Sequence, residues 1–435
     1  MKLQVCLDGV DAGTLEGDGA RARFTYAPPW LESPGAYPLS QSLPVTPEVH
    51  GGRRVLNFLW GLLPDNPRTL DAWGRRFQVS PRNPIALLSH VGEDCAGAVQ
   101  FVTEARLEAV LGAAAAASAA TANVEWLSEK ELEQRMRDVV RDGSAARTAT
   151  EGQFSLAGAQ AKIALYWDAR GGRWGVPSGR TPTTHILKPL GNEFEGFAEN
   201  EHFCLTLCRR LGLAAARTEW RSIGGVPTLI AERYDRVQRE GRWYRVHQED
   251  CCQALGVHPD KKYESQGGPG YAQLMSLMNA TDEPEHDRER LMRAASLSYF
   301  LGATDMHGKN FALLHARGIP RPSLRLAPFY DIGSAWSYPR QLPARKMKLA
   351  LRIGGHYRVA EIVPRHFRKL GLDAGFSPEA LLTILADYAR RLPDEAVATL
   401  HEIFEKSMSK SVLTRLVDGI AAHCRIVQRH LGAGG

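Results

Sequence analysis

Asp305 and Asn310, with four residues between them in Thr304-Asp305-Met306-His307-Gly308-Lys309-Asn310, constrain this chain more than any other feature. The stretch follows a helical run ending Tyr299-Phe300-Leu301-Gly302-Ala303 and precedes a strand-like run, Phe311-Ala312-Leu313-Leu314. A second strand-like run, Leu324 to Phe329, leads into Tyr330-Asp331. An Asp, then an Asn, then a further Asp beyond two strands is the pattern of a phosphoryl-transfer loop. In that pattern the first Asp takes the proton of the attacking hydroxyl, and the Asn and second Asp hold magnesium. A chain built for this chemistry needs a β-rich lobe and a helical lobe, with ATP in the cleft.

The chain is large enough for that shape: 435 residues, 44% of them hydrophobic, supply two or three cores. A net charge of +6 is compatible with nucleic-acid contact without establishing it. Lys2 to Asp8 alternates like a strand and carries no signal-peptide core. The Ala-rich run Ala113 to Ala122 is too short and too weakly apolar to span a bilayer, so a soluble, cytoplasmic protein without membrane contact is expected. Seven cysteines without metal-ligand spacing are expected to be reduced, buried thiols.

The pattern along the chain predicts an α+β, two-lobed kinase-like fold. Its parts are a β-rich N-terminal lobe with an added small β domain, and an all-helical C-terminal lobe. Residues 1–110 form the small β-rich domain, with a helical insertion at Val55 to Leu63 and another helix from Asn83. Residues 111–125, around the Ala/Ser tract, form a linker. Residues 126–234 form the β-rich part of the kinase lobe. It opens with a capping box, Ser128 with Glu131, that starts a helix to about Arg141. Residues 235–435 form the helical lobe, with helices over Glu285 to Leu301, Pro378 to Leu392 and Val412 to Leu431.

Candidate site residues appear in kinase order. Phe154 to Lys162 is a small-residue loop feeding a strand, which lets backbone N–H groups approach a phosphate. Lys188 ends the strand Thr184 to Lys188, where its ammonium would neutralise phosphates. Glu199 and Glu201, on the next helix, are both open as its ion-pair partner. Glu232-Arg233-Tyr234 lies where the two lobes meet, as an adenine-side hinge would. His307 and Lys309 sit where each can reach phosphate oxygens. Gln248-Glu249-Asp250 reads as a helix start, and Tyr263 to Gly270 as a glycine-rich connector or lid. Arg340, Arg345, Lys346, Lys348 and Arg352 form a basic stretch that meets solvent, DNA or an acidic partner.

Together, Ser155 to Lys162, Thr184 to Lys188, Gln248-Glu249-Asp250, Gly302 to Asn310 and Phe329-Tyr330-Asp331 resemble the HipA family of bacterial toxin kinases over most of the chain. The resemblance implies an ATP- and Mg2+-dependent serine/threonine kinase. Asp305 is then the base, and Asn310 and Asp331 the metal ligands. Lys188 binds phosphate, as do Ala157, Gly158, Ala159, Gln160, Ala161 and Lys162. Glu232, Arg233 and Tyr234 form the hinge, while His307, Gly308, Lys309 and Tyr330 line the nucleotide site. Ser155 matches the serine that family members autophosphorylate to switch themselves off. The implied partners are a HipB-like helix-turn-helix antitoxin, operator DNA bound mainly through that complex, and an aminoacyl-tRNA synthetase such as glutamyl-tRNA synthetase as substrate. Arg345, Lys346 and Lys348 become candidates for DNA or partner contact. Met306 and Ala161 depart from the better-known members at positions without a catalytic role. The alternatives are an AMP transferase on the same fold and a non-catalytic co-repressor.

Overall fold

Alternating apolar residues at the amino terminus build a five-stranded sheet in the order His50–Gly51, Arg23–Tyr26, Val10–Glu16, Lys2–Leu7, Val99–Val102. A computed structural model describes the whole chain except residues 20, 113–122, 143–154, 156, 159, 191–193, 317–321, 407 and 433–435. Helices Arg53–Leu62, Pro67–Phe77 and Pro84–Val91 bury Phe58, Trp73 and Leu87 with Phe24 and Phe101 of the sheet in one core. The last two helices start as their sequences require: Asn66 and Asn83 cap them through their side chains, with proline in the first turn.

Five strands of a six-stranded second sheet run Val226–Glu232, His185–Pro189, Ile163–Asp168, Arg173–Pro177, Val124–Trp126. Helix Glu129–Asp142 packs on it through Leu132, Met136 and Val139. Its predicted capping box is present, with the Ser128 N–H on Glu131 Oε2 at 2.8 Å and the Glu131 N–H on Ser128 Oγ at 3.4 Å. The expected linker lies outside the described residues from 113 to 122.

The chain divides into two compact units that interleave along the sequence. The first comprises Met1–Gly191, Arg221–Asp260 and Leu313–Leu324, and the second Asn192–Trp220, Lys261–Ala312 and Arg325–Gly435. Within the first, a buried charge network joins the small β domain to the ends of two strands of the second sheet. Asp94 accepts from Arg236 at 2.8 Å, from Arg245 at 3.3 Å, and from the Thr183 hydroxyl at 2.6 Å. Arg233 donates to Asp235 at 2.8 Å and to Cys95 O at 2.8 Å. Burial pushes the Asp94 carboxyl up, but Arg236, Arg233 and Arg245 outweigh it and hold the group well below the usual carboxylate range.

The second unit is mainly helical: Phe197–Arg210, Tyr271–Met278, Pro284–Leu301, Pro364–Ala374, Pro378–Ile403 and Lys410–Gly432. Helix Pro378–Ile403 does not stop before Pro393, as a proline signal suggests, but runs through it. The carbonyl that Pro393 leaves without its helical donor, Ala389 O, accepts from Gln428 Nε2 at 2.8 Å instead. The expectation of an all-helical C-terminal lobe omitted the hairpin Lys348–Ile353 with His356–Arg358, which alternates about Gly354-Gly355. Strands Arg236–Arg239, Arg242–Arg245 and His247–Asp250 also precede the first helix after residue 235, because aromatic and β-branched residues interrupt the charges there. Asp250 caps the short helix that follows, as its helix-start reading predicts.

All seven cysteines are buried thiols, and burial pushes those of Cys6, Cys208 and Cys424 up to about 12, leaving them unreactive. Among the described residues no helix is long and apolar enough to cross a membrane. Replacing Asp94 by Asn leaves three arginines under-compensated in the interior. It is expected to lower unfolding stability by about 3–5 kcal/mol in urea titrations. Because the Asp94 carboxyl is depressed in the fold, its contribution is complete above about pH 4 and drains away as the pH falls towards its folded value. The Asn variant should therefore lose most of its deficit against wild type in acid.

Candidate active site

Helix Pro284–Leu301 ends where its sequence turns to glycine. Gly302 takes φ 56°, and the Ala303 N–H folds back to Ser298 O at 2.9 Å, closing the helix and releasing the chain into the loop. Asp305 is exposed there. The loop then pins itself: the His307 N–H bonds Asp305 O at 2.9 Å, and the Asn310 N–H bonds His307 O at 2.9 Å. His307, Lys309 and Asn310 are buried.

Asp331 is delivered to this loop by a second anchored segment. Asp287 and Arg290, on the same helix, grip the chain before it: Asp287 accepts the Leu326 N–H at 3.0 Å, and Arg290 donates to Leu326 O at 2.8 Å and Ala327 O at 3.0 Å. After it, buried Asn200 holds Ser334 by both its N–H (2.7 Å) and its carbonyl (2.8 Å). Between these anchors Asp331 sits at φ 58°, a left-handed conformation that Asp tolerates better than most side chains. Tyr330 Oη donates to Lys309 O at 2.5 Å, joining the two segments.

The amide of Asn310 decides what the pair can bind. Nδ2 donates to Asp331 O at 3.1 Å and lies 3.5 Å from Asp331 Oδ2, which fixes the orientation of the amide. Oδ1 is buried and has no hydrogen-bond partner among the described residues. A buried carbonyl oxygen in that state is costly, and beside a carboxylate it has the chemistry to ligate a hard cation. Among the described residues no group of three or more His, Cys, Asp or Glu side chains forms an all-protein metal cage. Two oxygen donors suit Mg2+, which keeps waters and takes its remaining ligands from phosphates. The residues present therefore fit the ion.

The structure brings Asp305, His307, Gly308, Lys309, Asn310, Tyr330 and Asp331 together in the second unit. The remaining predicted residues, apart from Glu199, Glu201 and the basic stretch, lie in the first. There Lys188 is buried, 7% exposed, opposite Leu229. Glu232 is exposed, opposite His185. The Arg233 N–H bonds Thr184 O at 2.9 Å, and its guanidinium is committed to the buried network. Tyr234 is half-buried, and burial pushes its phenol well up. In the small-residue loop Gly158 takes φ 108°, and Lys162 Nζ donates across it to Ala157 O at 2.6 Å, so a side chain at 158 would collide with that ammonium. Gln160 and Ala161 are half-buried beside it, and Ala159 lies outside the described residues. Ser155 is fully buried, its hydroxyl donating to Leu62 O at 2.8 Å.

In the second unit, Glu199 and Glu201 are both buried, and Glu199 Oε1 accepts the Ser409 N–H at 3.4 Å. Arg345, Lys346 and Lys348 are exposed, whereas Arg352 is paired to Glu264 at 2.7 Å. The residue that sequence reasoning missed is Tyr263, whose phenol donates to Asp305 Oδ1. The signal available was its place in the glycine-rich loop, but a contact between positions 42 apart leaves no local pattern.

The sequence matches the model of the HipA-like C-terminal domain over residues 154–396 and that of the HipA N-terminal domain over residues 3–102. A candidate kinase of Sinorhizobium fredii (strain NBRC 101917 / NGR234), Y4mE, is 32% identical over 411 residues, covering 93% of each chain. The serine/threonine-protein kinase toxin HipA of Shewanella oneidensis is 26% identical over 419 residues, 92% of this chain and 89% of that one. A chain from the solved complex of the Shewanella oneidensis MR-1 toxin–antitoxin system, comprising HipA, HipB and operator DNA, shares the fold. Its TM-score is 0.80 at 23% identity, over 99% of this chain and 97% of that one.

Asp331→Asn keeps the left-handed backbone preference while removing the charge. It is expected to weaken Mn2+ or Mg2+ binding in the presence of nucleotide by more than about tenfold, with little change in thermal stability, as read by calorimetry and thermal melts.

Proposed function

This chain belongs to the HipA family, and on that footing we propose that it is an ATP- and Mg2+-dependent serine/threonine protein kinase, the toxin of a toxin–antitoxin module. The observation that carries the reading is the buried, partnerless Asn310 Oδ1 beside Asp331, next to a loop that presents an exposed Asp305.

In this mechanism Asp305 accepts a hydrogen bond from the acceptor hydroxyl and takes its proton as the oxygen attacks the γ-phosphorus. The bond from that phosphorus to the bridging oxygen breaks, and ADP leaves. Asn310 Oδ1 and the Asp331 carboxylate would hold Mg2+, which would supply charge neutralisation for the phosphate oxygens. Lys188 and the backbone of Ala157 to Lys162 bind the phosphates, with Ala159 among them. Glu232 to Tyr234 face adenine, and His307, Gly308, Lys309 and Tyr330 border the nucleotide. Most of the catalysis is positioning and charge stabilisation, since the chain supplies no covalent intermediate.

Ser155 is the proposed off-switch. Its hydroxyl is buried against Leu62 O, a place that cannot hold a doubly charged phosphate, so a phosphorylated Ser155 would drive its segment out. A HipB-like antitoxin, with operator DNA reached through it, is the proposed partner, supported by the fold shared with a chain of such a complex. Exposed Arg345, Lys346 and Lys348 suit an anionic partner there. An aminoacyl-tRNA synthetase, glutamyl-tRNA synthetase for example, is the proposed substrate, and the cytoplasm the proposed compartment.

The purified chain incubated with γ-labelled ATP and Mg2+ is expected to label itself and to gain a phosphate by intact mass. Asp305→Asn should slow labelling by about 10²–10⁴-fold. An adduct of AMP instead of phosphate, or an Asp305→Asn chain that labels at the wild-type rate, would overturn the proposal.

A further inference from the structure

The phenol of Tyr263 reaches Asp305 from outside the catalytic loop. Its O–H donates to Asp305 Oδ1, and its ring meets the His307 ring edge-on, perpendicular at 90° with centroids 5.0 Å apart. The backbone that carries it is braced on both sides. The Gly308 N–H donates to Lys262 O at 3.1 Å, tying residue 262 to the catalytic loop itself. Glu264, one residue beyond, accepts the Arg352 N–H at 2.7 Å and the Arg352 guanidinium at 2.7 Å. The glycine-rich loop closes on itself through the Gly268 N–H to Tyr263 O at 3.0 Å. The phenol therefore arrives on a fixed stretch of chain. The titratable groups around it are Lys262, whose ammonium lies 5.7 Å from the Tyr263 ring centroid, His307, whose ring meets it edge-on, and the Glu264–Arg352 pair on the next residue.

An exposed carboxylate turns easily about its terminal torsion. A proton acceptor in phosphoryl transfer works only when one oxygen faces the incoming hydroxyl, since the reaction depends on positioning. A donor held on Oδ1 selects one orientation of the Asp305 carboxylate and turns Oδ2 towards the acceptor. We propose that Tyr263 is a positioning residue for phosphoryl transfer, holding Asp305 by its Oδ1 so that Oδ2 is presented to the acceptor hydroxyl, with the Glu264–Arg352 pair as the brace that keeps Tyr263 in place. This rests on the kinase reading above. It also gives Arg352 a role inside the site's scaffold, apart from the exposed basic stretch from which it comes.

The test is Tyr263→Phe, which removes one hydroxyl and keeps the ring against His307. In the full chain, the autophosphorylation rate at saturating ATP is expected to fall by about tenfold, the worth of one charge-assisted hydrogen bond, with the KM for ATP and the melting temperature unchanged. Glu264→Gln should give a smaller loss in the same direction and add nothing on top of Tyr263→Phe. Crystal structures of the two chains supply a readout independent of activity: one orientation of the Asp305 carboxylate in the wild type, more than one in Tyr263→Phe. A Phe variant that labels itself at the wild-type rate overturns the proposal. An Asp305 that keeps a single orientation without the phenol overturns it as well. A wild-type chain that never labels itself defeats the kinase reading instead, and the paired crystal structures still decide whether Tyr263 orients Asp305.

Discussion

Two carboxylates and three guanidinium groups buried together in the first unit are the constraint on which its architecture depends. Asp94 comes from the turn after the helices of the small β domain, Arg233 and Asp235 from the turn after a strand of the second sheet, and Arg236 and Arg245 from the hairpin that follows. Removing any of these charges from water costs several kcal/mol. The cost is offset only because nearly every donor finds an acceptor: Thr183 O, Cys95 O, Gly97 O and Arg180 O take the guanidinium N–H groups that the carboxylates do not. Burial and the neighbouring Arg233 pull Arg236 down to about 10, which still leaves it charged at neutral pH. Such a network is intolerant of displacement. The small β domain is therefore fastened to the strand ends that flank Lys188 and the hinge candidates.

The catalytic segment follows the same logic on a smaller scale. Asn310 spends its N–H groups on Asp331, which leaves its carbonyl oxygen buried without a donor. Asp331 holds a left-handed backbone that Asn200, Asp287 and Arg290 keep in place from either side. Local strain and an orphaned acceptor at one spot are the observations on which the proposed cation site rests. Asp305, by contrast, is exposed and reached by a phenol, which suits the proposed role of meeting an acceptor hydroxyl.

Much of this was legible in the residues, and the errors have physical causes. Helix starts were readable where a side chain caps them, as at Asn83, Ser128 and Asp250, because capping acts over three residues. Helix ends were less so: Pro393 reads locally as a stop, but the carbonyl it orphans, Ala389 O, takes a donor from Gln428 of a different helix. The hairpins after residue 235 were missed because dense arginine and lysine masks strand alternation.

The sequence by itself determined the order of the parts and the chemistry of the loop: Asp305, Asn310 and Asp331 carry hard oxygen donors at a spacing set by local backbone geometry. Only the tertiary structure decided which of those oxygens is buried without a hydrogen-bond donor among the described residues. It also decided that Ser155 is buried against Leu62, that Arg352 serves Glu264, and that Tyr263 holds Asp305. The reason is distance along the chain. A periodic or capping signal reaches a few residues, whereas each of these contacts joins segments far apart in sequence and exists only once the core between them has packed.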